Sequence, residues 1–322
     1  MRALRAVGLV LLYIGAQAVA LVLAFPFLSA GLSSTTNPNA PTDPIYIIVL
    51  IVVAPLFLLW LVRFRGAVSA LRIFLLLAIA GSLDITLTAA FGLAIPEPLG
   101  LPDWISIFAD FVAIPLAAAC ALAAFLALLI EPQWYVVDSV GFVAGASLTA
   151  LLGISFGILP CFILLGALAV YDAIAVYRTK HMVSLADVVT EMKLPILMVM
   201  PGGAGYDYTA APSLKVQREA APEEREALFM GLGDVVIPGT LVVSAFVWLP
   251  AHATAIGLAT NLLVALGAMA GSLVGYAVLM RLVAGGNPQA GLPLLNGGAI
   301  LGYALFYVLL FHSAGLGLTL SV

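Results

Sequence analysis

Apolar runs of roughly 20 residues recur from one end of this chain to the other, and each can cross a bilayer core as a helix. Of 322 residues, 64% are hydrophobic and only 9% are charged, whereas soluble domains carry about 25% charged residues. The mean hydropathy is +1.19. The chain is therefore expected to be an integral membrane protein that crosses the bilayer many times.

Hydropathy along the chain predicts an all-α fold with nine transmembrane helices, at residues 6–28, 44–62, 73–91, 104–130, 135–156, 159–177, 228–249, 255–280 and 292–311. The fifth and sixth are the least distinct, because only Gly157 and Pro160 interrupt them. The first follows Arg2 and Arg5, as a signal peptide does. Its ~23 apolar residues exceed the apolar core of about 7–15 residues in such peptides, so we expect a retained helix.

The basic residues predict the direction of these helices. With a cytoplasmic N-terminus, all 12 Lys and Arg fall in cytoplasmic segments, and the outer segments around residues 35–43, 96–103, 157–160 and 250–253 hold none. Positive charge favours the cytoplasmic side of a membrane. The sequence therefore predicts nine helices with the N-terminus inside and the C-terminus outside.

Three parts are predicted within one integral fold. Residues 1–177 form a six-helix scaffold, residues 178–227 a cytoplasmic loop, and residues 228–322 a C-terminal part with three helices. The loop contains an apolar stretch at residues 194–200 that is too short to span a membrane. We expect it to form either an interfacial helix or a strand at the membrane surface.

Nucleic-acid, metal and cofactor binding find no support. No basic patch is interleaved with aromatic residues. Cys120 and Cys161 lie in or beside apolar segments, as small buried hydrophobic residues do. His181, His252 and His312 are isolated, and no His/Cys cluster has zinc-ligand spacing. Neither a metal nor another cofactor is expected.

Ionisable residues inside the spans are candidates for function, because a charge at the bilayer centre costs roughly 2.5–3.5 kcal/mol on insertion scales. Four aspartates qualify: Asp84, Asp110, Asp172 and Asp234. Asp84 is expected near mid-membrane and Asp110 ~9 Å below the outer face. Because neither matches the depth of the other pair, we interpret both as structural or pore-lining polar groups.

Asp172 and Asp234 are predicted to share a depth. Asp172 precedes the inner basic flank, Arg178, by six residues, and Asp234 follows Glu226 by eight. At about 1.5 Å per residue, the two carboxylates lie ~9 and ~12 Å from the inner boundary. They face each other if the sixth and seventh helices pack side by side. Two such carboxylates share one proton, the arrangement used by aspartic proteases.

The neighbours of this pair fit a site. Gly231 and Gly233 leave the helix without side chains before Asp234, which permits close approach of a backbone or a substrate. Taken alone, the glycines are better explained by ordinary small-residue packing. Tyr171 precedes Asp172 and is positioned to hydrogen-bond near the site.

These residues resemble the motifs of one known family, presenilin and signal peptide peptidase, the G-x-G-D intramembrane aspartyl proteases. Tyr171-Asp172 resembles the first catalytic motif, and Gly231-Leu232-Gly233-Asp234 resembles the second. The segment 289–295, Gln-Ala-Gly-Leu-Pro-Leu-Leu, resembles the one that holds the family's Pro-Ala-Leu motif, with Leu294 in place of Ala. The motifs fall on the sixth, seventh and ninth helices in the family's order, whereas the first six helices match only in number.

The resemblance implies that Asp172 and Asp234 are catalytic and that a second group of residues supports substrate binding: Tyr171, Gly231, Gly233, Leu292, Pro293, Leu294 and Leu295. It implies a single-pass membrane protein or signal-peptide-like helix as the substrate, met within the lipid bilayer. The predicted orientation is presenilin-like, so substrates are expected with the N-terminus outside. The Arg-over-Lys, Ala/Gly/Leu-rich composition is typical of a prokaryotic member in the plasma membrane, and a homo-oligomer is compatible with the sequence.

Other functions remain as alternatives at this point. A proton- or cation-coupled transporter also uses paired intramembrane carboxylates, but the repeated halves with broken helices that mark many transporters are missing from the sequence. A preflagellin/prepilin-type peptidase also uses G-x-G-D, but leaves the Tyr-Asp pair and the ninth-helix proline motif unexplained. A non-enzymatic assembly or scaffold protein is the third alternative.

Overall fold

The structure is a computed structural model that describes residues 2–35, 37–40, 42–61, 67–94, 103–179, 192–203, 205–210, 227–254, 257–283 and 289–318. Most of the predicted cytoplasmic loop 178–227 lies outside these ranges. The side chain of Asp110 also lies outside what the structure describes.

Nine α-helices and a two-stranded sheet form the described part of the chain. The helices are α1 (Arg2–Ser29), α2 (Asp43–Leu61), α3 (Ala67–Ala94), α4 (Asp103–Ile130), α5 (Trp134–Ser155), α6 (Ile158–Ala173), α7 (Leu232–Trp248), α8 (Thr260–Val283) and α9 (Leu292–Phe311). A π-helical segment, Ile174–Thr179, continues α6. The strands are β1 (Leu197–Pro201) and β2 (Ala227–Gly231).

The fold is mostly helical and apolar, as the sequence predicts, apart from the small sheet. Within the described ranges, seven helices are long and apolar enough to cross a membrane. The remaining two, α2 and α7, are apolar but contribute shorter stretches, Asp43–Leu58 and Leu232–Trp248. The chain is an integral, multi-pass membrane protein.

The boundary between α5 and α6 falls at Gly157, where the sequence shows it least clearly. The backbone N–H of Gly157 donates a hydrogen bond to the Pro38 carbonyl (2.6 Å), and the Thr35 hydroxyl donates to the Ser155 carbonyl (2.6 Å). A side chain at position 157 would overlap Asn39. The loop between α1 and α2 therefore packs over the turn between α5 and α6. This close packing requires glycine at position 157.

The seventh helix, predicted at 228–249, begins four residues later, at Leu232. Residues Ala227–Gly231 form β2, which pairs antiparallel with β1 so that Leu197 lies opposite Gly231. A short apolar run fits a helix and a strand equally well, so a partner strand decides which forms. Of the two structures expected for the apolar stretch 194–200, its C-terminal part forms the strand β1. The eighth helix, predicted at 255–280, begins at Thr260.

Each of the helices that carry the site packs against several other helices. α5 packs against α1 and α7, and α7 also contacts α6, α8 and α9. Between α8 and α9, a Cβ on Gly271 would overlap the backbone oxygen of Gly298, and one on Gly302 would overlap that of Gly267. We call these four residues the glycine seam. Because the seam brings two backbones into contact, it fixes the position of α9 relative to α8.

Candidate active site

Asp172 lies in the last turn of α6, where its side chain is only 5% exposed. One of its carboxylate oxygens, Oδ2, accepts a hydrogen bond from the backbone N–H of Leu292 (3.0 Å). Leu292 is the first residue of α9, 120 positions later in the chain. The carboxylate is thus held against the start of the last helix.

Asp234 lies in the first turn of α7, three residues after β2 ends. Part of the path from Glu226 to Asp234 is strand rather than helix, so the helical rise behind the predicted depth of ~12 Å does not apply to it. Asp234 is partly exposed. A Cβ on Gly291 would lie 3.0 Å from Asp234 Oδ1, and one on Gly231 would lie 3.4 Å from Oδ2.

The two carboxylates converge on the same backbone segment, Gly291-Leu292. Asp172 is hydrogen-bonded to Leu292, Asp234 lies against Gly291, and the two aspartates interact electrostatically. Gly291 has room for no side chain without displacing Asp234. The structure therefore brings together the two aspartates that the sequence pairs, on adjacent helices.

Tyr177 holds the segment that leads into Gly291. It lies in the π-helical continuation of α6, and its hydroxyl donates to Gln289 Oε1 (2.9 Å) and accepts from the Ala290 N–H (3.2 Å). Asn296, one turn into α9, donates to the Leu165 carbonyl of α6 (2.8 Å). Sequence reasoning missed both residues, because neither belongs to a motif and each partner is distant in the chain.

The other predicted site residues divide into two groups. Tyr171 is partly exposed and interacts electrostatically with Asp172, and a Cβ on Gly233 would meet nothing within 4 Å. Pro293 lies in the first turn of α9. Leu294 instead turns its backbone oxygen toward Gly275 of α8, and Leu295 is fully buried in a core cluster. The contacts to the aspartates thus come from the residues just before Pro293.

Two tyrosines, Tyr13 of α1 and Tyr276 of α8, lie near Asp234. The rings of Tyr13 and Tyr276 stack at 5.7 Å, and both residues interact electrostatically with Asp234. Gln17 is fully buried beside them.

The remaining candidate, Asp84, lies away from the two aspartates on α3, which packs against α4, α1 and α5. Within the described ranges, no three His, Cys, Asp or Glu side chains are grouped so as to hold a metal ion.

Two interacting carboxylates at the ends of neighbouring helices in a multi-pass membrane protein are the arrangement expected of an intramembrane aspartyl protease. The family model for signal-peptide peptidase and presenilin aspartyl protease matches residues 9–312. The chain belongs to this family, and it is accordingly a hydrolase of the aspartic protease type.

Solved structures agree with this assignment. The chain is similar to a presenilin family intramembrane aspartate protease in the C222 space group, with 32% identity, a TM-score of 0.64, and coverage of 94% of this chain and 99% of that one. A presenilin family intramembrane aspartate protease in the P2 space group shows 35% identity, a TM-score of 0.60, and coverage of 94% and 97%. A search of curated proteins gives no match.

Proposed function

We propose that Asp172 and Asp234 are the catalytic dyad, and that the chain cleaves transmembrane segments of other proteins with a water molecule. The observation that carries this proposal is the convergence of both carboxylates on Gly291-Leu292. Each side chain approaches this segment from a different helix, so a peptide bond lying beside it meets both groups.

The chemistry follows from one proton shared by two carboxylates. The ionised aspartate takes a proton from water, which attacks the scissile carbonyl, while the protonated aspartate donates a hydrogen bond to the carbonyl oxygen. The proton taken from water then passes to the leaving amine as the C–N bond breaks. The Leu292 N–H holds the carboxylate of Asp172 in place throughout.

Unwinding of the substrate precedes this step, because a helix keeps its peptide carbonyls in internal hydrogen bonds. We propose that the unwound segment adds to β2 as a third strand. Two observations support this. β2 runs directly into α7 and Asp234, and among the described residues no hydrogen bond reaches the edge of β2 that faces away from β1. Phe229→Pro removes an N–H of β2 that points away from β1 but no hydrogen bond to β1. It should strongly slow cleavage, and unchanged cleavage would refute strand addition.

The finer topology is part of the proposal. Nine spans, a cytoplasmic N-terminus and a prokaryotic plasma membrane place the dyad in the cytoplasmic half of the bilayer, and the division at 1–177, 178–227 and 228–322 separates scaffold, loop and catalytic part. The distribution of Lys and Arg supports this orientation. Substrates then span the membrane with the N-terminus outside, and Pro293 lies at the substrate's entry to the dyad. Leu294 and Leu295, which pack against α8 and in the core, support this segment from behind.

The dyad is tested with the full chain in liposomes and a tagged single-span helix as substrate. Wild type is expected to release two peptide products, whereas Asp172→Ala and Asp234→Ala each release none, because neither carboxylate can replace the other. Asp84→Ala, on α3, is the matched control and should retain cleavage. Cleavage that persists in either dyad variant would refute the pairing.

A second substrate arm tests the orientation. The same helix inserted with its N-terminus on the cytoplasmic side of the enzyme is expected to be cleaved much more slowly. Equal cleavage in both directions would leave the dyad intact and refute the proposed substrate orientation.

A further inference from the structure

Asp138 is a buried carboxylate that the dyad chemistry does not use. It lies near the start of α5 and is 7% exposed. Its Oδ1 accepts a hydrogen bond from the backbone N–H of Val199 in β1 (2.7 Å). Burying a carboxylate is costly unless it is hydrogen-bonded. A buried acid paired with one backbone N–H of a strand therefore points to a role in holding that strand.

The bond falls on the edge of β1 that faces away from β2. In an antiparallel pair, successive residues point their N–H and C=O groups alternately toward and away from the partner strand. The Leu232 N–H donates to the Ile196 carbonyl (2.9 Å), and the strand register continues from this pair. The backbone N–H and C=O groups of the even-numbered residues of β1 therefore point toward β2. Those of Val199 point away from β2, and its N–H points toward Asp138.

Pro201 lies on the same outer edge of β1, two residues after Val199. Proline has no N–H to offer another strand. With the Val199 N–H bound to Asp138, two successive outward positions of β1 have no free donor. An unpaired strand edge is a template for a further strand, so Asp138 and Pro201 together close this edge.

Other contacts fasten β1 to α5 and α1. Gly141 of α5 leaves room for the Pro195 carbonyl, since a Cβ there would lie 3.1 Å from that oxygen. The Arg5 guanidinium donates to the Gly202 carbonyl (3.1 Å), and a Cβ on Gly8 would overlap Met200. β1 is thus enclosed on the side opposite β2.

The segments that flank β1, which lie outside the candidate membrane spans, are tied to each other and to the residue before α5. Lys193 donates to the Tyr208 carbonyl (2.5 Å) and lies 4.4 Å above the Tyr208 ring; desolvation lowers the pKa of Lys193, and the charge of Asp207 opposes this. Gln133, just before α5, donates to Asp207 (3.1 Å). Hydrogen bonds from Thr209 and Gln133 lower the pKa of Asp207.

We propose that Asp138 is a positioning residue for proteolysis. It fixes the β1–β2 hairpin to α5 and closes the outer edge of β1, so that an unwound substrate segment pairs only with β2, in one register relative to Asp234. This rests on the proposed strand addition to β2. Because β2 enters α7 directly, a shift of the hairpin changes which substrate bond reaches the dyad.

The test compares acceptors at position 138 in the full chain, with a tagged single-span helix as substrate and mass spectrometry of the products. Asp138→Asn keeps an oxygen that accepts the Val199 N–H, so it should retain the wild-type cleavage sites and rate. Asp138→Leu removes the acceptor. It should raise KM, lower kcat/KM about tenfold or more, and spread cleavage over neighbouring bonds.

The donor is tested separately, which keeps the proposal falsifiable if Asp138→Leu does not fold. Val199→Pro removes the N–H that Asp138 binds but no hydrogen bond to β2, and Val199→Ala is its matched control with the N–H retained. Val199→Pro should spread cleavage as Asp138→Leu does. The double variant should show no further change, because both substitutions delete the same interaction.

Unchanged cleavage sites in both Asp138→Leu and Val199→Pro, even with a reduced rate, would overturn the proposal, since a merely structural role lowers rate without changing register. Additive effects in the double variant would overturn it as well. Failure of the dyad itself has a different signature, namely cleavage that survives Asp172→Ala or Asp234→Ala.

Discussion

The helices around the two aspartates and the outer helices α2–α4 differ in burial and in how closely their backbones approach their neighbours. In α5, 67% of the 18-residue apolar stretch is buried inside the protein, whereas in α3 only 17% of the corresponding stretch is buried. The glycine seam brings the backbones of α8 and α9 into contact, but a Cβ on Gly81 of α3 would meet nothing within 4 Å. The outer helices expose large apolar side chains, including Tyr46, Phe74 and Phe111.

This contrast shows where the sequence carries specific information. A helix that faces lipid needs an apolar surface, and many side chains supply one. A helix in the seam needs a residue without a side chain, because its neighbour's backbone occupies the space. The short motifs visible in the sequence therefore lie on α6, α7 and the start of α9, although the family model matches the outer helices as well.

The largest expected effect is on the seam. Gly271→Leu forces a side chain into the backbone of α9 and should lower the free energy of unfolding by about 3 kcal/mol or more, the upper end of overpacking costs. Gly81→Leu, on exposed α3, should change it by less than about 0.5 kcal/mol. Thermal unfolding in detergent measures both. Equal destabilisation would show that the two regions do not differ as described.

A smaller change should separate activity from stability. Gly291→Ala places a Cβ 3.0 Å from Asp234 Oδ1 and displaces that carboxylate. Its helical backbone accepts alanine (φ −78°), so the fold should persist. The carboxylate has to move by a few tenths of an ångström. Because a misplacement of about 1 Å costs roughly 100-fold in rate, we expect kcat for cleavage of a tagged helix to fall about tenfold.

Gly297→Ala is the control for Gly291→Ala, because a Cβ at position 297 of α9 meets nothing within 4 Å. It should keep both activity and stability. Full activity of Gly291→Ala would show that Asp234 does not need its close contact with the segment before α9.

The smallest effect is expected at Tyr177, on the exposed rim of the site. Tyr177→Phe removes the hydrogen bonds to Gln289 and Ala290. Because Tyr177 is 56% exposed, each bond is worth about 0.5 kcal/mol, the low end for a hydrogen bond, so kcat/KM should fall roughly three- to tenfold with unchanged thermal stability. Tyr46→Phe, on α2, should leave kcat/KM unchanged. An equal loss in both variants would remove the distinction between the two regions at this site.

Hydropathy predicted the helices well because membrane spans must be apolar and must satisfy their backbone internally. It failed at β2, where Leu228, Phe229 and Met230 look like the first turn of a helix. Their partner strand lies about 30 residues earlier in the chain, and nothing in the local sequence shows it. The junction at Gly157 was visible only as a weak interruption for a similar reason, since its partner is the loop at Pro38.

The site was predictable where side chains carry the chemistry. Carboxylates in apolar spans are conspicuous, so Asp172 and Asp234 could be paired. Contacts made by backbone were not visible: Asp172 to the Leu292 N–H, Asp234 to Gly291, and Asp138 to the Val199 N–H. Asp138 itself lies four residues inside α5, where a carboxylate is easily mistaken for a solvated group at the end of a span.

With the proposed catalytic role of Asp234, its position in the first turn of α7 determines the fate of the two substrate fragments. α7 has 17 residues, a length of about 25 Å, and nearly all of it lies to one side of the dyad. A bond broken there divides a substrate span unequally. One fragment keeps most of its apolar length and stays anchored in the bilayer, and the other keeps too little to remain and escapes into the water.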